Sequence, residues 1–127
     1  MIALCLAALV GAATGRVELD DGRFSLRWLH SIEKIEWREE WRLTEAGLTA
    51  TEARIKGSGA GMEPGENAVH RDGWYIWTPY AQTLPRIILA RSDAVADHRL
   101  CVKEDCRPLS AYIGGREAVI LEPCHAP

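Results

Sequence analysis

What the 127-residue sequence lacks narrows its class first. Basic charge is not in surplus: 15 Lys and Arg stand against 18 Asp and Glu, for a net charge of −3. A nucleic-acid binder would show a basic patch and a high pI, and here the pI is near 5.8. No apolar run approaches the roughly 20 residues that a membrane-spanning helix requires. No internal repeat and no interdomain linker appears, which leaves one domain. Hydrophobic residues at 47% and charged residues at 26% exclude a disordered tail, a collagen-like fibre and a coiled coil. A chain of this length buries roughly two thirds of its unfolded surface in a single core.

Catalytic signatures are missing too. There is no nucleophile elbow and no metal-binding helix motif, so a hydrolase is disfavoured and no catalytic residue, cofactor or metal is assigned. The stretch from Gly57 to Gly65 lacks the Lys-Ser/Thr of a phosphate loop and the full dinucleotide spacing, and no long helix follows it. It reads as a permissive connection between strands, and Gly59 and Gly61, with Met62 beside them, leave room for a partner's backbone to approach closely.

What the sequence does contain is uneven: five Trp against one Phe, and four Cys in a short chain. Residues 1–15, MIALCLAALVGAATG, carry no charge, and the first ionisable side chain is Arg16. Their length suits the apolar core of a secretory signal, with Gly11-Ala12-Ala13 as the small residues of a cleavage site. A buried N-terminal helix is the competing reading. The basic leader that normally precedes such a core is missing, which points to a start some codons before Met1. Cys5 lacks a preceding Leu-x-Gly/Ala pattern, which argues against a lipid anchor. These features predict a signal-like segment over 1–15, a single domain over 16–127, and an exported protein, periplasmic or at the cell surface.

With Cys5 set aside in that segment, three cysteines remain. Leu100-Cys101-Val102 and Cys106-Arg107-Pro108 flank the polar stretch Lys103-Glu104-Asp105, the pattern of a hairpin. Facing residues in such a pair sit about 4.5 to 5.5 Å apart at Cα, within disulfide range. A Cys101–Cys106 bridge is therefore expected, worth about 2 kcal/mol by chain entropy, with Cys124 as the odd thiol. A zinc site of Cys101, Cys106, Cys124 and His125 is the weaker alternative, because the spacing of the first two is slightly long.

Period-2 alternation dominates the rest. Phe24, Leu26, Trp28, His30 and Ile32 share one face, and Ile35, Trp37, Trp41 and Leu43 repeat the pattern against charged neighbours. Further strands are expected over 48–56, 74–78, 86–91 (as a central strand) and 118–122, with a helical turn within 108–113. The fold class this predicts is all-β, a small antiparallel β-sandwich or partly open barrel. A hairpin turning at Glu33-Lys34 pairs His30 with Trp37, Trp28 with Glu39, Leu26 with Trp41 and Phe24 with Leu43. His30 and Glu39 then become diagonal neighbours on the inward face. A buried carboxylate needs a partner; His30 is the nearest, and Arg54 on the next strand is its rival. Such a pair between Trp28 and Trp37 suits either a small-ligand or metal-ion site or an internal polar pair that fixes register. Trp74, Tyr75, Ile76 and Trp77 carry aromatic groups on both sides of one strand, so one set fills the core and the other offers a contact surface.

The segments His30-Ser31-Ile32-Glu33-Lys34, Trp37, Glu39, Trp41, Lys56-Gly57-Ser58-Gly59-Ala60-Gly61-Met62, Arg71-Asp72-Gly73-Trp74 and Leu100-Cys101 through Cys106-Arg107-Pro108-Leu109-Ser110 together carry a resemblance. Over roughly residues 24–113 the chain resembles a bacterial and archaeal family of small exported proteins classed as a domain of unknown function. Its members are often encoded beside TAXI-type TRAP transporters, which use a periplasmic solute receptor and a fused membrane permease. The resemblance implies a non-catalytic accessory role, contacting the receptor or the permease. It brings no catalytic residue with it. Proximity to a membrane is then expected only through that partner or an uncleaved signal, and the expected contact surface combines the Gly57 to Gly65 loop with the Trp74 to Trp77 strand.

Overall fold

The alternating pattern resolves into two antiparallel sheets facing one another across a common core. The computed structural model describes residues 2–29, 35–56, 67–79, 82–92 and 96–125. In the smaller sheet, β1 (Ile2–Ala8) lies between β2 (Thr14–Glu18) and β12 (Val119–His125), and β9 (Ile87–Leu89) closes the far edge. The larger sheet is built on the meander β3 (Arg23–Leu29), β4 (Glu36–Thr44) and β5 (Gly47–Lys56). On one side it continues through β10 (Arg99–Val102) and β11 (Asp105–Pro108). On the other, β5 pairs with β7 (Trp74–Trp77), which pairs with β6 (Val69–Arg71), while β8 (Thr83–Leu84) pairs with the start of β5. A single 3-10 turn, Leu109–Ala111, follows β11. The architecture is the expected all-β, sandwich-like one.

Tight turns close the β6–β7 and β10–β11 hairpins of the larger sheet. Asp72 and Gly73 adopt φ of 54° and 85° between the paired ends Arg71 and Trp74, the geometry of a type I′ hairpin. Lys103, at φ 58°, begins the β10–β11 turn, which brings Cys101 opposite Cys106 and forms the expected disulfide. The core between the sheets is made by Leu4, Leu6, Val119 and Leu121 from one side and by Phe24, Leu26, Trp41, Leu43 and Leu48 from the other.

Four expectations need correction. Residues 2–8 do not lie outside the β domain: they form an inner strand of the smaller sheet, with Leu4 and Leu6 essentially fully buried. Apolar residues on both faces of an inner strand give the same uniform run as a leader, and the strand, not a helix, is what the run forms. Cys124 is not a spare thiol. It bonds Cys5 across β1 and β12, 119 positions apart in sequence, so all four cysteines are paired and none can ligate zinc in this form. The run Ile87-Ile88-Leu89 is an edge strand, paired among the described residues with β12 alone and leaving Ile88 54% exposed. Finally, the β3–β4 register differs by two residues from the expected one. Trp28 faces Trp37, Leu26 faces Glu39 and Phe24 faces Trp41, the last pair before the connection being Leu29 with Glu36. A shift of two keeps every side chain on its predicted face.

Candidate functional site

The larger sheet outreaches the smaller one, so its inner face is part core and part open aromatic surface. Phe24 and Trp41, opposed across β3 and β4, stack at 6.4 Å inside the core. One step further along, Trp28 packs against the rim of the core, and Trp37 stacks on it at 5.9 Å with the rings 11° apart. Trp77 of β7 meets Trp37 edge-on at 6.0 Å, and His98, just before β10, leans against Trp28 at 5.2 Å. Offset stacks and edge contacts of this kind add to what ring burial alone supplies. They make a continuous aromatic strip across β3, β4 and β7.

Glu39 lies between the core and this strip. Its cross-strand neighbours are Leu26 and Ala53, both buried. Among the described residues its hydrogen bond comes from the Trp41 indole, Nε1 donating to Oε1 at 3.2 Å. Burial pushes the carboxyl pKa up, and the Trp41 hydrogen bond opposes this in part. Burial pulls the His98 imidazole below 6.5, with the neighbouring Asp97 charge working against it. Both groups therefore lean toward their neutral forms. The strip can stack a planar or apolar group, with the Glu39 carboxyl and the His98 imidazole beside it as hydrogen-bonding groups.

The opposite, outer face of the same sheet is cationic. Trp74 of β7 pairs opposite Lys56, and its ring lies under the Arg38 guanidinium at 4.5 Å, Lys56 Nζ at 5.0 Å and Arg54 at 5.7 Å. Two of these cations are held by carboxylates two residues away on their own strands: Arg38 Nε donates to Glu36 at 2.6 Å and Arg54 Nη2 to Glu52 at 2.7 Å. A cation within about 6 Å of an indole centroid is attracted by the ring's quadrupole, and all three lie inside that range.

The structure thus splits the candidate residues between two faces. Trp28, Trp37, Glu39 and Trp77 share the inner face, and Trp74 is on the outer one. The aromatic groups of β7 do divide between the two sides, as expected. His30, Gly59, Gly61 and Met62 lie outside the described residues. Arg54 is not the partner of Glu39: it points to the outer face and pairs with Glu52. His98 was not singled out from the sequence, because it sits on an irregular segment with no periodic context; only its position just before the Cys101 strand could have drawn attention to it. Among the described residues no group of three His, Cys, Asp or Glu side chains is arranged to hold a metal ion.

No curated protein and no solved structure matches the chain. The part that carries the aromatic strip, the cationic face and the β10–β11 disulfide hairpin is recognised as a family: residues 24–109 match the family described as Domain of unknown function (DUF1850), and the chain belongs to it.

Proposed function

We propose that the chain is an exported, non-catalytic accessory protein of a TAXI-type TRAP transport system that contacts the solute receptor or the periplasmic side of the permease. The transporter association rests on the sequence resemblance. What the geometry supports is the contact itself, and one observation carries it: strand β7 lies near the edge of the larger sheet with Trp74 half-buried beneath Arg38, Arg54 and Lys56. Tryptophan and arginine are enriched in protein–protein hot spots, and here they meet in one accessible cluster. Val69 on the adjoining edge strand β6, 53% exposed, extends that surface with an apolar side chain. Two disulfides support an oxidising compartment. In that compartment the functional form keeps residues 2–13, since a cut after Ala13 would remove β1 and the disulfide partner of Cys124.

The test is capture of a TAXI receptor or permease by the full chain from solubilised membranes and periplasm of a cell that encodes both. Capture is expected, and Trp74→Ala is expected to weaken it about tenfold or more, the loss seen for a hot-spot aromatic, with little change in stability. If deleting the protein leaves TAXI-dependent uptake unaltered and neither component is captured, the proposal fails.

A further inference from the structure

The outer face of the larger sheet carries a line of four arginines that alternation alone does not explain. Arg99 of β10 pairs opposite Arg27 of β3, Arg27 opposite Arg38 of β4, and Arg38 opposite Arg54 of β5. Directly opposed residues in an antiparallel ladder have Cβ atoms about 5 Å apart on the same face, and like charges so opposed destabilise the pairing. The line runs perpendicular to four adjacent strands in a chain whose net charge is negative. Such an arrangement calls for negative charge to sit against it.

Among the described residues only part of that charge is supplied. Glu36 neutralises Arg38 and Glu52 neutralises Arg54. Arg27 and Arg99, side by side at the other end of the line, have no carboxylate within ion-pair distance among the described residues. Glu40, diagonal to Arg27, attracts it only from beyond that distance. Arg99 gives one N–H to the Cys106 carbonyl at 3.0 Å. The Nε of Arg27 is shielded from solvent and donates to nothing among the described residues, and an unmet buried donor of this kind calls for an acceptor.

These side chains meet in one groove. Arg27, Arg38 and Arg99 line an open cavity of about 390 Å³ together with Trp28, Glu36 and Asp97. Both acids there are engaged already: Glu36 by Arg38, and Asp97 by Arg91 Nε at 3.3 Å and by the Ser110 backbone N–H at 2.9 Å. Among the described residues the surplus positive charge in the groove is therefore that of Arg27 and Arg99.

We infer that this groove is a binding site for the oxyanion group of a small solute, a carboxylate or a phosphate, held by charge-assisted hydrogen bonds from Arg27 and Arg99. Guanidinium groups present planar pairs of N–H donors that match such groups. Binding relieves the repulsion between the two opposed arginines, so the anion stabilises the fold as well as occupying it. The inference is independent of any transporter partner.

The experiment titrates the full, disulfide-bonded chain with inorganic phosphate and, separately, with succinate. Chloride at matched ionic strength is the reference, and the readouts are melting temperature and Trp emission, Trp28 being in the groove wall. A saturable rise in melting temperature beyond the chloride reference is expected for at least one of the two anions, and which of them gives it tells the phosphate source from the carboxylate source. Arg27→Gln and Arg99→Gln are each expected to weaken that response about tenfold or more, the loss expected for a charge-assisted hydrogen bond. Arg42→Gln, on the same face but outside the groove, should leave it unchanged. Because Arg27→Gln could alter stability by itself, the comparison is of the midpoint of the anion titration, followed by Trp emission below the melting range. Phosphate and succinate acting no differently from chloride would overturn the inference. So would equal midpoints in wild type, Arg27→Gln and Arg99→Gln. Protection by polyglutamate without any effect of the small anions would overturn it too, in favour of an acidic polypeptide partner.

Discussion

Glu39 and His98 show how single side chains set the pH response of the inner face. Burial raises the Glu39 carboxyl above 4.5, with the Trp41 hydrogen bond opposing. The folded chain therefore keeps that proton to higher pH than the unfolded chain, and the stability linked to it is complete below 4.5 and lost as pH rises through the raised value. His98 works the other way. Its pKa is lowered from 6.5 by burial, so the stability linked to it is present above 6.5 and lost as pH falls through the lowered value. Glutamine at 39 keeps an acceptor for the Trp41 indole and carries no charge. Glu39→Gln is accordingly expected to raise unfolding free energy at pH 7.5 by about 1 kcal/mol, the scale of a single substitution, and to change it little at pH 4. Urea denaturation at the two pH values checks this. A variant less stable than wild type at pH 7.5 would mean that a cation, of the kind His30 was expected to supply, reaches the carboxylate.

At the scale of strands, Gly47 ties the β4–β5 hairpin to β8. It follows the two-residue turn Glu45-Ala46, takes φ of +141°, and sits where a Cβ would run into the Leu84 carbonyl. Gly47→Ala is expected to destabilise by about 2 kcal/mol or more and to raise hydrogen exchange at Leu48 and Leu84. Loss of less than about 0.5 kcal/mol, the size of an ordinary surface change, would show that β8 yields without consequence. Turn chemistry is legible at Asp72-Gly73 and Glu45-Ala46-Gly47, where glycine supplies the positive φ the turns take, and alternation assigns each side chain its face. Register was not readable in the same way: pairing Trp28 with Trp37 or with Glu39 leaves every residue facing the same way, and only the length of the connection decides between them. The two uniform apolar runs were misread for a related reason. Ile2–Ala8 and Ile87–Leu89 lack alternation, so their pattern does not say whether the segment is central, peripheral or removable. The arginine line was also invisible along the chain, since Arg27, Arg38, Arg54 and Arg99 meet only through pairing.

For the molecule as a whole, the two disulfides differ in reach. Cys101–Cys106 closes a short hairpin, whereas Cys5–Cys124 encloses nearly the entire chain. Chain entropy gives the first about 2 kcal/mol and the second about 5 kcal/mol. Replacing Cys5 and Cys124 together by Ser is expected to lower unfolding free energy clearly more than replacing Cys101 and Cys106 together, as guanidinium denaturation would measure. The reverse order would mean that the hairpin bridge, whose Cys101 is buried, holds more of the fold than its loop length implies.

The pairing of β1 with β12 across that bridge has a mechanical consequence. Tension applied through whatever flanks residues 5 and 124 is carried by one covalent link between neighbouring strands, and the chain between them never feels the load. Oxidised, the domain behaves under pulling as a short inextensible clasp; reduced, the same force would peel its first and last strands apart and pay out most of its length.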